Sequence, residues 1–378
     1  MQKTLLVTID FPPMFGGVAN YWANLCQCLP SNDVVVLAPE CFNSLDFDLK
    51  QNYLVYRKNL FSKNKWVWPK WLPLFINTYK IVKQEKVKKI IAGHVLPSGT
   101  IAYIINKLLG IPYYVSVHGL DLAYATKTKK KKWLATKVFN NAESIIANSQ
   151  YTKGLLEQYF NVETPVTVVF PCPNFTYKDV CLKEMEQTRK KYGLENKRVI
   201  LTVGRLVKRK GHDKVIESMQ KITNEVTNAV YVVVGQGKEL VGLQKRVEEI
   251  GLQEKVKFFT DVMDQEMSMF YHLADIFIMP SRKLEDGDIE GFGIVYLEAN
   301  CFGLPTIAGK SGGAVEAVEH NVNGLLVNPQ SINEISKAVV TLLTNSKRAE
   351  DLGEKGRARV LKRFNWPEQA KKLSKLLN

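Results

Sequence analysis

Val199-Ile200-Leu201-Thr202-Val203-Gly204-Arg205-Leu206-Val207-Lys208-Arg209-Lys210-Gly211-His212 runs from an apolar, β-branched stretch straight into a glycine-and-basic loop. The first five residues read as a strand buried on both faces, and Gly204 as the turn at its end. The same unit recurs along the whole chain. Short β-branched runs stand at 5–9, 34–37, 89–91, 113–117, 144–147 and 167–169, and again at 199–203, 229–234, 256–259, 276–279, 305–308 and 324–327. Longer amphipathic, helical patterns lie between most of them. This alternation describes an α/β protein with two doubly wound parallel sheets and crossover helices. Pro171-Cys172-Pro173-Asn174 is a rigid, turn-prone boundary, which sets one domain at 1–173 and a second at 174–364. After Phe364-Asn365-Trp366-Pro367 the pattern is helical again, with Asn365 able to cap and Pro367 suited to an early helical position.

At 378 residues the chain is long enough for two domains, each with its own core. No apolar stretch approaches the ~18–20 uninterrupted residues of a spanning helix. The start, Lys3-Thr4-Leu5-Leu6-Val7-Thr8-Ile9-Asp10, reads as a first buried strand rather than a signal peptide, so the expected compartment is the cytoplasm. Six cysteines with no CxxC pair, and only five histidines, point to free thiols and away from structural zinc. The formal net charge is +15, and it is uneven. Residues 1–175 carry 20 Lys/Arg against 10 Asp/Glu, and the rest carry 32 against 27. The first half therefore asks for an anionic partner.

Ligands of doubly wound sheets bind at the C-terminal ends of the strands, so the loops after strands hold the chemistry. Arg205 and Lys210 lie where a diphosphate could sit: a guanidinium fork and an ammonium point charge together neutralise two phosphate groups. The plain alternative is a solvated basic loop. Further on, Glu290-Gly291-Phe292-Gly293-Ile294-Val295-Tyr296-Leu297-Glu298 places two carboxylates around a glycine-flanked turn. Glycines let backbone amides approach a ligand, and the apolar run from Ile294 reads as the buried first turns of a helix. One carboxylate in the loop and one in the helix suit two hydroxyl groups of an elongated ligand, such as the sugar and the ribose of a nucleotide sugar. A buried helix with a solvated glutamate at each end is the plain alternative.

Other strand ends carry weaker signals. In Asp10-Phe11-Pro12-Pro13-Met14-Phe15-Gly16-Gly17, the glycine pair either offers N–H groups to a phosphate or only turns the chain. It is not the GxGxxG fingerprint, which disfavours NAD. His118-Gly119-Leu120-Asp121 follows a strand; His118 either orients a proton transfer or packs as a capping residue. Gly235 in Val234-Gly235-Gln236-Gly237, and Val262 and Met263 after Thr260-Asp261, sit where backbone atoms can read a nucleobase. Asp286-Gly287-Asp288 looks like a metal-holding Asp-x-Asp.

Taken together, these segments resemble the retaining glycosyltransferases of family four. The resemblance runs in order through Gly16-Gly17, His118-Gly119-Leu120-Asp121, Asn148-Ser149-Gln150-Tyr151-Thr152, Gly204-Arg205 with Lys210-Gly211, Glu290-Gly291-Phe292-Gly293 with Glu298, Gly303-Leu304-Pro305, Gly312-Gly313 and Asn323-Gly324-Leu325-Leu326-Val327. Phe170-Pro171-Cys172-Pro173-Asn174 departs from the Pro-Asn-Gly-type turn of many members. The phrase around Glu290 looks most like bacterial mannosyltransferases. The resemblance implies the GT-B fold: two Rossmann-like domains facing across a deep cleft, with helix 365–378 returning to the N-terminal, acceptor-binding one. It implies that Arg205 and Lys210 clamp the donor diphosphate and that Glu298 holds the ribose. Glu290, with the amides of Phe292 and Gly293 nearby, contacts the sugar. Gly17 approaches the phosphate or acceptor, and His118 lies near the reacting face. The implied donor is a GDP- or UDP-hexose, with the anomeric configuration retained and no cofactor or obligatory metal.

Two segments give the first half its charge: Lys63-Asn64-Lys65-Trp66-Val67-Trp68-Pro69-Lys70-Trp71, and Lys129-Lys130-Lys131-Lys132-Trp133. Lysines beside tryptophans suit an anionic bilayer, where charge attracts and rings sit at headgroup level. The expectation is a peripheral enzyme at the cytoplasmic membrane face, acting on a glycan or lipid-linked acceptor. No nucleic-acid partner is expected, because no nucleic-acid module is recognisable. The competing readings are a nucleotide-sugar epimerase, a pyridoxal-phosphate-dependent phosphorylase on the same architecture, and a non-catalytic binder of anionic ligands.

Overall fold

Short apolar runs suit strands covered on both sides, and among the described residues thirteen strands form two all-parallel sheets, most of them buried along their length. The computed structural model describes residues 1–378 except 15, 175, 176, 178 and 179, and except the side chains of 264 and 265. The chain divides into two compact units, Met1–Cys172 with Asn365–Asn378, and Pro173–Phe364.

The first unit holds β1 Thr4–Val7, β2 Val34–Pro39, β3 Leu54–Lys58, β4 Lys89–Ala92, β5 Tyr113–Val117, β6 Ser144–Ala147 and β7 Val166–Val168. They lie in the order β3-β2-β1-β4-β5-β6-β7. The second holds β8 Arg198–Val203, β9 Ala229–Val234, β10 Val256–Phe259, β11 Ile276–Met279, β12 Thr306–Gly309 and β13 Gly324–Val327, in the order β10-β9-β8-β11-β12-β13. All twelve strands expected from the sequence are present. The unexpected one is β3, an edge strand of which Leu54 and Lys58 are exposed. An edge strand needs no continuous apolar run, and this one ends in Arg57-Lys58.

The order of each sheet reverses beside its first strand. Strands β1 and β4 flank that point in one unit, β8 and β11 in the other, and the crevice beyond their C-terminal ends is where such sheets receive ligands. The core on one side of the first sheet gathers Leu5, Ile90, Val115 and Ile145; the core under the second gathers Ile200, Tyr231, Ile278 and Ile307. The terminal helix Trp366–Leu377 belongs to the first unit. Asn365 caps it by accepting from the Glu368 N–H, Gln369 accepts from the Phe170 N–H at 3.0 Å, and the Trp366 ring meets Tyr21 edge to face.

Two helical glycines give opposite predictions. A Cβ on Gly353, in the helix Ser346–Arg363, would lie 1.8 Å from the Gly303 carbonyl oxygen, whereas one on Gly242, in the helix Leu240–Glu249, meets nothing within 4 Å. Gly353→Ala is expected to cost about 1–3 kcal/mol through overpacking. Gly242→Ala is expected to add about 0.5–1 kcal/mol of helix stability. Urea unfolding midpoints of the two variants should therefore move in opposite directions.

Candidate active site

The second unit builds its site from the two loops at the order reversal. After β8 the chain turns at Gly204 (φ +150°), passes the exposed Arg205, and winds into the short turn Lys208–Lys210. That turn sends Lys208 outward and buries both Arg209 and Lys210. Gly211 (φ +80°) lies so close to the Pro280 carbonyl oxygen that a Cβ would come within 2.4 Å, which sets the β8 loop against the β11 loop. From the β11 loop, buried Glu290 receives both cations on one oxygen: Lys210 Nζ and Arg209 Nη1 each donate to Glu290 Oε2 at 2.6 Å. Arg209 Nε also faces Asp288 Oδ1 at 3.2 Å. Arg282, behind them, forms a two-pronged pair with Asp213 at 2.9 Å.

Burial raises the Glu290 carboxyl, but Lys210 and then Arg209 overcome it and bring the group down to about 2. Lys210 is pushed down, first by burial and then by Arg209 and Arg205, against the pull of Glu290. Burial also depresses Arg209, yet Glu290 and Asp288 raise it on balance. Two buried cations facing two carboxylates leave exposed Arg205 and Lys208, neither of which meets a carboxylate among the described residues, as the uncompensated charges of this loop; Arg205 is the one at the strand end.

Gly293 (φ +90°) starts the helix Ile294–Cys301, and its Cβ would strike the Tyr296 ring at 2.5 Å. Phe292 is buried against Phe364. Gly313 backs the motif so closely that a Cβ would lie 1.9 Å from the Gly291 oxygen, and its N–H donates to the Glu290 carbonyl at 2.8 Å. Glu298 is buried one helix turn further on. Its Oε2 accepts from the Tyr271 hydroxyl at 3.0 Å and its Oε1 from the Asn174 amide at 3.0 Å, while burial raises its carboxyl. The β9 loop closes on β8: a Cβ on Gly235 (φ +143°) would meet the Gly204 oxygen at 2.2 Å. Gln236 donates to the Thr260 carbonyl at 2.8 Å, placing half-buried Val262 and exposed Met263 on the neighbouring loop. Sequence reasoning singled out Lys210 and Glu290 but passed over Arg209, which it left inside a basic run. Asp288, read there as half of an Asp-x-Asp, is engaged by Arg209.

In the first unit, Gly17 opens the helix Gly17–Gln27 after the β1 loop and is exposed. His118 follows β5. Its Nε2 lies 3.1 Å from both the Gly93 carbonyl and Ser116 Oγ, and a carbonyl only accepts, so Nε2 carries the hydrogen. Burial, opposed by Asp121, lowers this imidazole to about 4, so it is neutral at ordinary pH with Nδ1 as its basic atom. Its backbone N–H is capped by Asp121 Oδ1 at 2.9 Å. Beside it, at 5.8 Å between ring centres, stands His94, which sequence reasoning missed. His94 Nε2 meets Asp10 Oδ2 at 3.1 Å and so joins the loops after β4 and β1 at the order reversal of this sheet. The signal for it was the glycine-flanked histidine Gly93-His94 just past a strand, the same signal that marked His118.

The basic segments also lie in this unit. Lys63, Lys65, Trp66 and Trp68 are exposed, whereas Trp71 turns inward, half-buried against the core. On the helix Lys129–Asn140, capped by Thr128, Lys129, Lys130, Lys132 and Trp133 are exposed, and Lys131 sits 3.5 Å above the Tyr124 ring.

Set against known proteins, residues 15–173 match the model for Glycosyltransferase Family 4, and residues 184–359 match that for Glycosyl transferases group 1. The chain belongs to the glycosyltransferases of family four. Over 381 residues it is 28% identical to a GDP-mannose-dependent alpha-(1-6)-phosphatidylinositol monomannoside mannosyltransferase of Mycobacterium tuberculosis, covering 100% of this chain and 98% of the relative. It is likewise 28% identical over 389 residues to a GDP-mannose-dependent monoacylated alpha-(1-6)-phosphatidylinositol monomannoside mannosyltransferase of Corynebacterium glutamicum, again covering 100% and 98%. The crystal structure of Anabaena HepE in complex with UDP and glucose superposes with a TM-score of 0.84 at 20% identity, covering 100% and 99% of the two chains; that likeness establishes the two Rossmann-like domains of the GT-B class.

The electrostatics carry a prediction. A group whose folded pKa is depressed contributes stability that is fully present above its unfolded value and is lost as the pH falls through the folded one. For Glu290 that loss sets in below about 4.5 and runs through about 2. Glu290→Gln should remove this acid-limb loss, and at neutral pH should cost on the order of 3 kcal/mol because buried Lys210 and Arg209 lose the carboxylate that compensates them. Urea midpoints measured against pH test both signs.

Proposed function

We propose that the chain is a retaining mannosyltransferase that moves mannose from GDP-mannose to a phosphatidylinositol-mannoside-like glycolipid. The observation that carries this reading is the Lys210–Glu290 bridge across the order reversal of the second sheet, with Arg205 uncompensated in the same loop. Arg205 and Lys210 receive the diphosphate, whose negative charge grows as the glycosidic bond breaks. Glu290 and the amides after it address the sugar hydroxyls, and Glu298 addresses the ribose in place of Tyr271 and Asn174. Gly235, Val262 and Met263 border the nucleobase, and Ile294 the start of the sugar-binding helix. The choice of mannose and GDP is supported by the two full-length relatives.

The departing phosphate oxygen serves as base for the incoming hydroxyl on the same face of the sugar, since Glu290 is held ionised by two cations and is engaged as a positioning carboxylate. Neutral His118 offers a hydrogen-bonding ring without a competing charge. Metal-free catalysis is supported by the cations that line the diphosphate site and by the engagement of Asp288 with Arg209. The N-terminal unit takes the acceptor. Its exposed Lys63, Lys65, Trp66, Trp68, Lys129, Lys130 and Trp133 hold it at an anionic, cytoplasmic membrane face. No helix among the described residues is long and apolar enough to cross a membrane.

Incubation with GDP-mannose and a phosphatidylinositol mannoside should give a glycolipid whose new linkage, by NMR, keeps the donor's anomeric configuration, with turnover unchanged by EDTA. An inverted linkage would refute the front-face route. Conversion of the donor with no acceptor present would favour the epimerase reading. Because Arg205 is exposed, Arg205→Ala should fold normally yet lower kcat/KM by roughly 10²–10³-fold.

A further inference from the structure

The segments that leave β2 and β3 emerge at the same end and the same edge of a parallel sheet. They are tied together there. The Glu40 N–H donates to the Lys58 carbonyl at 3.2 Å, and Asn59 donates to Glu40 Oε2 at 2.8 Å. The β2 segment forms the short helix Ser44–Asp48, whose inner side is fixed. Phe47 meets the Phe11 ring edge to face at 6.0 Å, and Asp48 takes the Arg57 guanidinium at 2.8 and 3.0 Å. Phe42 just before this helix, Leu45 within it and Leu49 at its C-cap are 89%, 69% and 77% exposed. The β3 segment presents Trp66 and Trp68, which are 94% and 80% exposed, from a loop closed on itself by the Ser62 N–H to the Lys70 carbonyl at 2.8 Å and by the Trp66 N–H to Asn64 Oδ1 at 3.0 Å.

Five large apolar side chains standing free at one corner exceed the scattered exposure usual on a soluble surface. The same two segments expose Lys50, Lys58, Lys63, Lys65 and Lys70. Between residues 41 and 71 the only carboxylates are Asp46 and the Arg57-bound Asp48. Cations on the same segments as indole and aliphatic groups match the chemistry of an anionic bilayer surface, with headgroup charge outside and apolar acyl chain beneath. A second copy of a chain of net charge +15 would bring like charge to the same corner.

Resting on the reading of a lipid-borne acceptor, we infer that the corner is a two-pronged anchor: Phe42, Leu45 and Leu49 enter the acyl boundary of an anionic membrane beside Trp66 and Trp68. The lysine–tryptophan loop is thus half of the device, and the helix Ser44–Asp48 is the other half.

The test is co-sedimentation of the full chain with vesicles of phosphatidylcholine containing phosphatidylglycerol, and with phosphatidylcholine alone. Transfer of mannose to a water-soluble mannoside is followed in parallel. The triple variant Phe42→Ser, Leu45→Ser, Leu49→Ser and the double variant Trp66→Ser, Trp68→Ser should each bind the anionic vesicles about tenfold or more weakly, with melting temperature and soluble-acceptor transfer unchanged. Binding of the triple variant to the anionic vesicles as strongly as the wild type would overturn the inference, as would failure of the wild type to bind. Salt-sensitive RNA binding or self-association lost in the triple variant, without vesicle binding, would assign the corner to that partner and overturn the lipid. Vesicle binding lost as expected in a chain that transfers nothing to any acceptor would sustain the anchor and defeat the mannosyltransferase reading instead.

Discussion

One carboxylate oxygen holds two buried cations, and the second unit is arranged around it. A buried ammonium and a buried guanidinium require compensation, and Glu290 and Asp288 provide it at 2.6 and 3.2 Å. That requirement explains why the β8 and β11 loops must meet. It also explains the glycine that lets them meet, Gly211 against Pro280, while Gly313, after β12, backs the β11 loop at Gly291. Because the inner charges cancel, the charges left to meet an anion are those of exposed Arg205 and Lys208. On the proposed reading, a donor diphosphate at this loop would compete with Glu290 for Lys210, which would link donor binding to the freedom of that carboxylate through one ammonium group.

The first unit repeats the plan with weaker groups. His94 and Asp10 join the loops on either side of its order reversal, as Lys210 and Glu290 do in the second. Here the partner of the carboxylate is an imidazole rather than an ammonium and a guanidinium. Neutral His118, held by the Gly93 carbonyl, adds hydrogen-bonding capacity without charge. The positive charge of this unit is instead carried outward on the lysine-bearing segments, where an anionic surface can meet it.

The fold was legible because parallel strands are covered on both faces. The twelve expected runs are short and mostly β-branched or apolar, and β3 escaped because an edge strand ending in Arg57-Lys58 carries no such run. Glu290, Glu298, Arg205 and Lys210 stood out because glycines at strand ends announce close approach. Arg209 did not, since the burial of two residues in Lys208-Arg209-Lys210 is decided by a tight turn that spacing alone does not reveal. Phe42, Leu45 and Leu49 were passed over for a similar reason. Their spacing is that of any short helix packed on a core, and only the inward anchoring of Phe47 and Asp48 turns them to solvent.

The central claim is that Glu290 serves the sugar while restraining Lys210, and calorimetric titration with GDP and with GDP-mannose tests it most directly. In Glu290→Gln, Lys210 is released from its carboxylate, so GDP should bind at least as tightly as to the wild type, while the additional affinity given by mannose disappears. Equal weakening of GDP and GDP-mannose, or an undiminished preference for the sugar nucleotide, would contradict the account.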